Sequence, residues 1–175
     1  MYLVSAYFDE ETNNRIQQYI NQVAKKTGNN YMLDGKVPPH ITISSFDTGE
    51  IDKVISLLEQ SLSNTKQGKI KWTSVSSFLP YVLYISPVLN HYLQELSEEC
   101  NRCLQTVERI KISPYYQPFS WMPHTTIGKK LTKEQMQIAF EVMQHQFGTF
   151  DGTITKIGLA KTNPYENIMV LELHN

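Results

Sequence analysis

The stretch Pro38–Ile43, with the sequence PPHITI, returns 84 residues later as Met122–Ile127, with the sequence MPHTTI. Both copies read Pro-His-x-Thr-Ile, where x is any residue. On a β-strand, side chains two residues apart point to the same face. The spacing therefore predicts that each histidine projects together with its threonine. The residues of the opposite face, Ile41, Ile43 and Ile127, are expected to point into a core.

The secondary structure predicted around the two copies also repeats. β-forming residues predict strands over 2–8, 40–46, 69–78, 81–86, 123–128, 152–161 and 167–173. Apolar residues at helical spacing predict helices over about 10–27, 50–65, 88–108 and 133–147. The order strand, helix, motif strand, helix, strand thus occurs twice, which indicates an internal duplication. We expect one α+β domain over 1–175, with pseudo-repeat lobes 1–78 and 79–175 that bring both motif strands to a central cleft.

The composition limits the class of protein. Hydrophobic residues make up 41% of the chain, charged residues make up 19%, and the formal net charge is −1. This balance argues against an extended nucleic-acid footprint, which requires a basic surface. No run of about 18 apolar residues is present, and the apolar start of the chain lacks a basic region and is followed by acidic residues. We expect a cytoplasmic monomer with no membrane partner.

Cys100 and Cys103 have the CxxC spacing, but the sequence places them inside a predicted helix. A redox-active pair sits at a helix N-terminus, where the helix dipole lowers the pKa of the thiol. A zinc site would need two further ligands, and only His91 is near in sequence. We therefore expect two reduced, partly buried thiols on one face of the helix, and they do not decide the function.

With its two His-x-Thr-Ile motifs, His40–Ile43 and His124–Ile127, and its repeated order of elements, the chain resembles the two-histidine (2H) phosphoesterase superfamily, the LigT-like or 2′-5′ RNA ligase-like proteins. The resemblance implies a bilobal, duplicated α+β fold with two antiparallel-rich sheets around a central cleft and helices outside. It implies chemistry on cyclic or linear phosphodiesters without a metal or other cofactor. The catalytic residues that it implies are His40, Thr42, His124 and Thr126.

The chemistry of these residue types agrees with that expectation. Opening a 2′,3′-cyclic phosphate needs a base to deprotonate water and an acid to protonate the leaving ribose oxygen, and two imidazoles can serve near neutral pH. Threonine hydroxyls can hydrogen-bond the non-bridging oxygens. No carboxylate completes either motif, which disfavours a Ser-His-Asp site, and no HExxH or His/Asp cluster favours zinc. The residues leave open which histidine is the acid.

Five other residues are candidates for binding the substrate. Tyr115 and Trp121 belong to an aromatic segment over 110–122, on which a base could stack, although the segment could equally plug a lobe. The remaining candidates lie near the motifs or in the last turn, although each could equally be a solvated side chain: Lys36, Lys129 and Tyr165.

The sequence therefore predicts a phosphoesterase that hydrolyses a 2′,3′-cyclic phosphodiester or a 2′-5′ linkage of a small nucleotide or RNA end. Two alternatives stay open. The first is a module that binds a nucleotide or RNA end without turnover. The second is a 2′-5′ RNA ligase, because the same four side chains could run the reaction backward.

Overall fold

The computed structural model describes all 175 residues, which form eight strands and five helices. Every predicted strand and helix is present, and no predicted boundary differs by more than four residues. The strands are β1 (Tyr2–Phe8), β2 (Ile41–Asp47), β3 (Gly68–Phe78), β4 (Val82–Pro87), β5 (Lys111–Ile112), β6 (Thr125–Gly128), β7 (Phe150–Lys161) and β8 (Glu166–Glu172). The helices are α1 (Glu10–Thr27), α2 (Tyr31–Asp34), α3 (Ile51–Leu62), α4 (His91–Leu104) and α5 (Lys133–Gln146), and Pro114–Tyr116 form a turn of 3₁₀ helix.

Local hydrogen bonds explain why α4 is shorter than predicted. The Asn90 side chain accepts a hydrogen bond from the backbone N–H of Leu93, so the helix begins only after Asn90. At the other end, the hydroxyl and the backbone N–H of Thr106 donate to the Cys103 carbonyl at 2.7 and 3.2 Å, which ends the helix in a tight turn. The side-chain cap and the turn thus set both ends, which the apolar spacing alone does not reveal.

All eight strands belong to one antiparallel sheet with the order β5-β2-β1-β7-β3-β4-β6, and β8 pairs with β7. The predicted fold class is confirmed as a mixed α/β architecture, and the sheet is not closed into a barrel. The two sheets expected from the sequence are instead two arms of this one sheet: a first arm of β5, β2 and β1, and a second arm of β3, β4 and β6. The arms are joined because β7 and β3 are long enough, at 12 and 11 residues, to pair with each other and with further strands.

The two halves of the chain exchange strands and helices. β1, the first strand of the first half, pairs with β7 from the end of the second half, whereas β4 pairs with β3 from the first half. Helix α1 packs against α5 and β6, and α4 packs against α3 and β2. The halves therefore share one core of 35 buried residues, which includes Ile41, Ile43 and Ile127 as the motif spacing predicts.

Both cysteines are free and buried on α4, and burial raises the pKa of each thiol, that of Cys103 to about 11. No group of three or more His, Cys, Asp or Glu side chains is arranged to hold a metal ion. None of the helices combines the length and the apolar character that crossing a bilayer requires.

Candidate active site

The two motif histidines sit just before the strands β2 and β6 and are held in the same way. Nδ1 of His40 donates to the Pro38 carbonyl at 2.8 Å, and Nδ1 of His124 donates to the Met122 carbonyl at 2.9 Å. A proline, with its fixed φ, lies between each carbonyl and its histidine, which preorganises the turn. Because a carbonyl can only accept, the proton of each neutral ring lies on Nδ1, and Nε2 is left free for a substrate.

The two threonines occupy matching places in the two arms. Thr42 lies directly opposite Ser5 of β1, and Thr126 lies directly opposite Tyr84 of β4. Directly opposed residues of an antiparallel pair project from the same face of a sheet. Ile41, Ile43 and Ile127, which alternate with these threonines, lie in the core, so both threonines project from the opposite face of the sheet.

Hydrogen bonds from the second half hold the first motif in place. The Thr125 hydroxyl donates to the His40 carbonyl at 2.8 Å, and the Trp121 indole N–H donates to the Thr42 carbonyl at 3.0 Å. Both acceptors belong to the first motif, and both donors belong to the second motif or the segment leading to it. The fold thus brings the two motifs side by side although 84 residues separate their histidines.

The surroundings of the imidazoles favour their neutral form. Burial lowers the pKa of His40 below 6.5, and the charges of His124 and Lys129 lower it further, against the effect of the Pro38 carbonyl. Burial also lowers the pKa of His124, against the effect of the Met122 carbonyl. A neutral imidazole has a lone pair on its free Nε2 atom, which is the form that a general base requires.

Different aromatic residues flank the two histidines. The His124 ring lies 4.9 Å from the Phe78 ring and 5.1 Å from the Tyr84 ring, measured between centroids. The His40 ring lies 6.2 Å from the Tyr7 ring, and the Tyr7 hydroxyl is 3.1 Å from that of Tyr165. The Tyr7 ring fits because position 158 is glycine, where a Cβ atom would lie only 2.5 Å from it.

The prediction that Trp121 binds the substrate is corrected by the structure. Trp121 is 4% exposed, belongs to the core, and uses its indole N–H for the Thr42 carbonyl. Its apolar ring is more stable in the core than against solvent, and its one polar group needs an acceptor there. Trp121 therefore supports the first motif strand and presents no free face to a base.

Tyr115, the other predicted aromatic contact, is 81% exposed on the 3₁₀ turn. Its neighbour Tyr116 is the one that lies close to Thr42: burial raises the pKa of Tyr116, and the Thr42 hydroxyl offsets part of the effect. The Tyr116 carbonyl is in turn fixed by the Asn101 side chain at 2.9 Å. A role for Tyr115 in binding the substrate stays a prediction.

The three polar candidates differ in how they are placed. The charge of Lys129 acts on His40, and its ammonium group lies 6.0 Å from the centre of the Tyr31 ring. Tyr165 reaches the neighbourhood of His40 through its hydrogen bond with Tyr7. Lys36 is exposed with a positive φ of 49° and forms no side-chain hydrogen bond or ion pair, so its role stays a prediction.

Four residues of the site were given no role from the sequence: Tyr7, Phe78, Tyr84 and Thr125 of the second motif. Their proximity depends on strand pairing, and a single sequence gives no direct signal of register. Thr125 could have been suspected, because a buried threonine at the variable position of the motif needs an acceptor for its hydroxyl.

Two grooves on the surface lie away from the two motifs. A groove of about 380 Å³ lies between α5 and β3 and is lined by Val75, Phe140, Glu141, Met143, Gln144 and Phe147. A second, of about 320 Å³, lies at the edge formed by β2 and β5. Neither contains a motif histidine, so the face of the sheet around the two motifs is the better candidate.

Similarity to known proteins extends over most of the chain. The family model described as the 2′-5′ RNA ligase superfamily matches residues 8–166. A protein of Geobacillus kaustophilus named "Putative phosphoesterase" is 27% identical over 150 residues, which cover 83% of this chain and 80% of the relative. A protein of the same name from Geobacillus thermodenitrificans is 26% identical over 149 residues, covering 82% and 80%.

Solved structures show the same fold at low sequence identity. Escherichia coli LigT complexed with 3′-AMP superposes with a TM-score of 0.61 at 12% identity, covering 99% of this chain and 98% of LigT. The Thermus thermophilus protein TT0787 superposes with a TM-score of 0.62 at 13% identity, covering 98% and 97%. The residues matched by the family model include both His-x-Thr motifs. The chain belongs to the 2′-5′ RNA ligase superfamily, whose members are two-histidine phosphoesterases.

Proposed function

We propose that this protein is a metal-independent phosphoesterase that hydrolyses a 2′,3′-cyclic phosphodiester or a 2′-5′ linkage of a nucleotide or RNA end. One observation carries the proposal. Each of two neighbouring motifs presents an imidazole whose Nδ1 is held by a backbone carbonyl and whose Nε2 is free. Two such groups can perform the two proton transfers of phosphodiester hydrolysis without a metal ion.

In the proposed mechanism, Nε2 of one histidine takes a proton from water as the water oxygen attacks phosphorus. Nε2 of the other histidine donates a proton to the ribose oxygen as its bond to phosphorus breaks. The hydroxyls of Thr42 and Thr126 hydrogen-bond the non-bridging oxygens, which carry the developing charge. Lys129 adds positive charge near His40, and Tyr165 adds a hydroxyl beside it.

The relatives support this class of substrate. Two Geobacillus relatives are named as putative phosphoesterases, and LigT has been solved with 3′-AMP, with ATP and with NADP⁺. All three LigT ligands are nucleotides. We therefore propose that the substrate of this protein is a small nucleotide or the end of an RNA.

The proposal is tested by incubating the purified protein with 2′,3′-cyclic nucleotides and 2′-5′-linked dinucleotides in the presence of EDTA. We expect at least one of these to be converted to a phosphomonoester or cleaved, at a rate that the chelator does not change. Loss of turnover with EDTA would contradict a metal-independent reaction. Tight nucleotide binding without turnover would favour the binding module, and joining of a 2′,3′-cyclic end to a 5′-hydroxyl would favour the ligase.

The lowered pKa values of the histidines predict an acidic pH optimum. The rate rises with pH as the base loses its proton, and it falls as the acid loses its own. Because both histidines have pKa values below 6.5 in the free protein, kcat/KM should reach its maximum below pH 6.5. At pH values above the higher of the two histidine pKa values, kcat/KM should fall by about tenfold per pH unit. A pH profile of kcat/KM measures this, and an optimum near pH 8 would contradict it.

A further inference from the structure

The two halves of the site differ although the fold duplicates them. In the first arm, Ser5 of β1 lies opposite the motif threonine Thr42. In the second arm, the residue opposite the motif threonine Thr126 is Tyr84 of β4, so Ser5 and Tyr84 occupy equivalent positions. Two residues further along β1 and β4, Tyr7 corresponds to Ser86. The Ser86 hydroxyl donates to the backbone carbonyl of Pro123 at 2.9 Å. The Tyr7 hydroxyl instead forms a hydrogen bond with the hydroxyl of Tyr165. The two sides therefore offer different surfaces to a substrate.

The side of His124 offers an apolar, aromatic surface. Phe78 packs against Tyr84 with ring centroids 4.4 Å apart and the rings tilted by 30°, and its ring lies at 82° to the imidazole of His124. Tyr84 is buried, but Phe78 at the end of β3 is 40% exposed. The neighbouring Leu79 and Tyr81 are more exposed still and extend the apolar surface. An exposed ring of this kind is what a nucleobase stacks on.

The side of His40 offers hydroxyl groups and positive charge. In the hydrogen bond between Tyr7 and Tyr165, either phenol can be the donor, so one O–H remains free to donate elsewhere. Lys129 contributes a positive charge on the same side. A free O–H beside a neutral imidazole is suited to hold a water molecule or a phosphate oxygen, and the apolar surface of Phe78 is not.

In-line displacement connects these two surfaces to the reaction. The attacking water and the leaving oxygen lie on opposite sides of phosphorus. When a 2′,3′-cyclic phosphate opens, the leaving oxygen belongs to the ribose, which also carries the base. The general acid therefore lies on the side of the site that binds the nucleobase.

We infer that the site has a fixed polarity, in which the nucleobase stacks on Phe78, His124 protonates the leaving ribose oxygen, and His40 deprotonates the water beside Tyr7 and Tyr165. This inference rests on the proposed function. The water oxygen forms the new bond to phosphorus, and the water proton goes to Nε2 of His40. The bond between phosphorus and the ribose oxygen breaks, and that oxygen takes the proton of Nε2 of His124. The product is a nucleoside phosphomonoester, and solvent restores both histidines.

The Phe78→Leu variant tests the position of the base. We expect KM for 2′,3′-cyclic AMP to rise by about tenfold or more, with kcat changed much less, because stacking is lost while the reacting groups remain. KM for methyl riboside 2′,3′-cyclic phosphate, which has no base, should not rise. The matched control is Phe140→Leu on α5, which removes a ring of similar exposure, 36%, away from the motifs. Equal KM changes for the two substrates, or no change for either, would overturn the placement of the base.

The roles of the two histidines as general acid and general base are distinguished with the substrate methyl p-nitrophenyl phosphate. Its leaving group departs as an anion and needs no proton. His124→Ala should lower hydrolysis of the cyclic nucleotide by about 100-fold or more but that of the nitrophenyl ester by less than about tenfold. His40→Ala should lower both by about 100-fold or more. Thermal denaturation confirms that each variant is folded, and His→Gln variants replace any alanine variant that is not.

The outcomes distinguish this inference from the proposed function. If the pattern of the two variants is reversed, or if both lose activity equally on the two substrates, the polarity is wrong while the phosphoesterase activity stands. If the unmodified protein turns over no cyclic nucleotide or 2′-5′-linked substrate, the proposed function falls and the polarity falls with it.

Discussion

Replacing either His40 or His124 by alanine is expected to lower kcat for a 2′,3′-cyclic nucleotide by about 10²–10⁴-fold, the usual contribution of a general acid or base. Each imidazole has its Nδ1 engaged by a backbone carbonyl, so the free Nε2 is the atom that can exchange a proton with substrate. Alanine removes that atom, and no other histidine or carboxylate belongs to either motif. Steady-state kinetics on the unmodified protein and both variants measure the loss.

His91→Ala is the control for this experiment. His91 is exposed on α4, where its Nε2 pairs with Glu95 at 3.0 Å, so its removal should leave kcat unchanged. In the double variant the two losses should not multiply, because the histidines act on one reaction step. Retention of substantial activity by both single variants would show that the chemistry lies elsewhere on the molecule.

The second large effect is expected from Thr42→Val and Thr126→Val. Each substitution keeps the shape of the side chain and removes the hydroxyl that we propose to hydrogen-bond a non-bridging oxygen. Loss of one such donor lowers kcat by about 10²–10³-fold in other enzymes, and we expect the same range here. KM should change less, because the hydrogen bonds strengthen as charge develops in the transition state.

Thr106→Val is the matched control for the threonine variants. Its hydroxyl donates to the Cys103 carbonyl beyond the end of α4, so valine there should alter only local stability. Thr42 and Thr126 need not contribute equally, since Thr42 is 9% exposed and lies close to Tyr116, whereas Thr126 is more open. If kcat of both motif variants equalled that of the unmodified protein and of Thr106→Val, the two motif hydroxyls would have no part in the reaction.

Local signals in the sequence account for most of what could be predicted. Alternation within the motifs placed Ile41 and Ile127 in the core, and both are fully buried. Capping residues such as Asp9 and Thr132 mark the starts of α1 and α5, where their side chains accept backbone N–H groups of the first turn. These features depend on neighbours within a few residues, which is the range over which a single sequence is informative.

The aromatic residues show where this kind of inference fails. Tyr115 and Trp121 have similar sequence surroundings, yet the first is 81% exposed and the second is 4% exposed. Trp121 packs in the core, where the carbonyl of Thr42, 79 residues away, accepts its indole N–H. Phe78 has no motif around it, and the pairing of β3 with β4 and of β4 with β6 brings it to His124.

The sequence by itself determined the pair of Pro-His-x-Thr-Ile motifs and the order of strands and helices, because repeated strings and periodic apolar residues can be read along the chain. Tertiary structure alone decided that β3 and β7 join two arms into one sheet, and which side chains flank each histidine. Strand pairing sets those contacts, and irregularities such as the register shift between Val4 and Ser5 change which residues share a face. The two motifs are alike in sequence, and their different partners across the sheet are what make the two sides of the site chemically distinct.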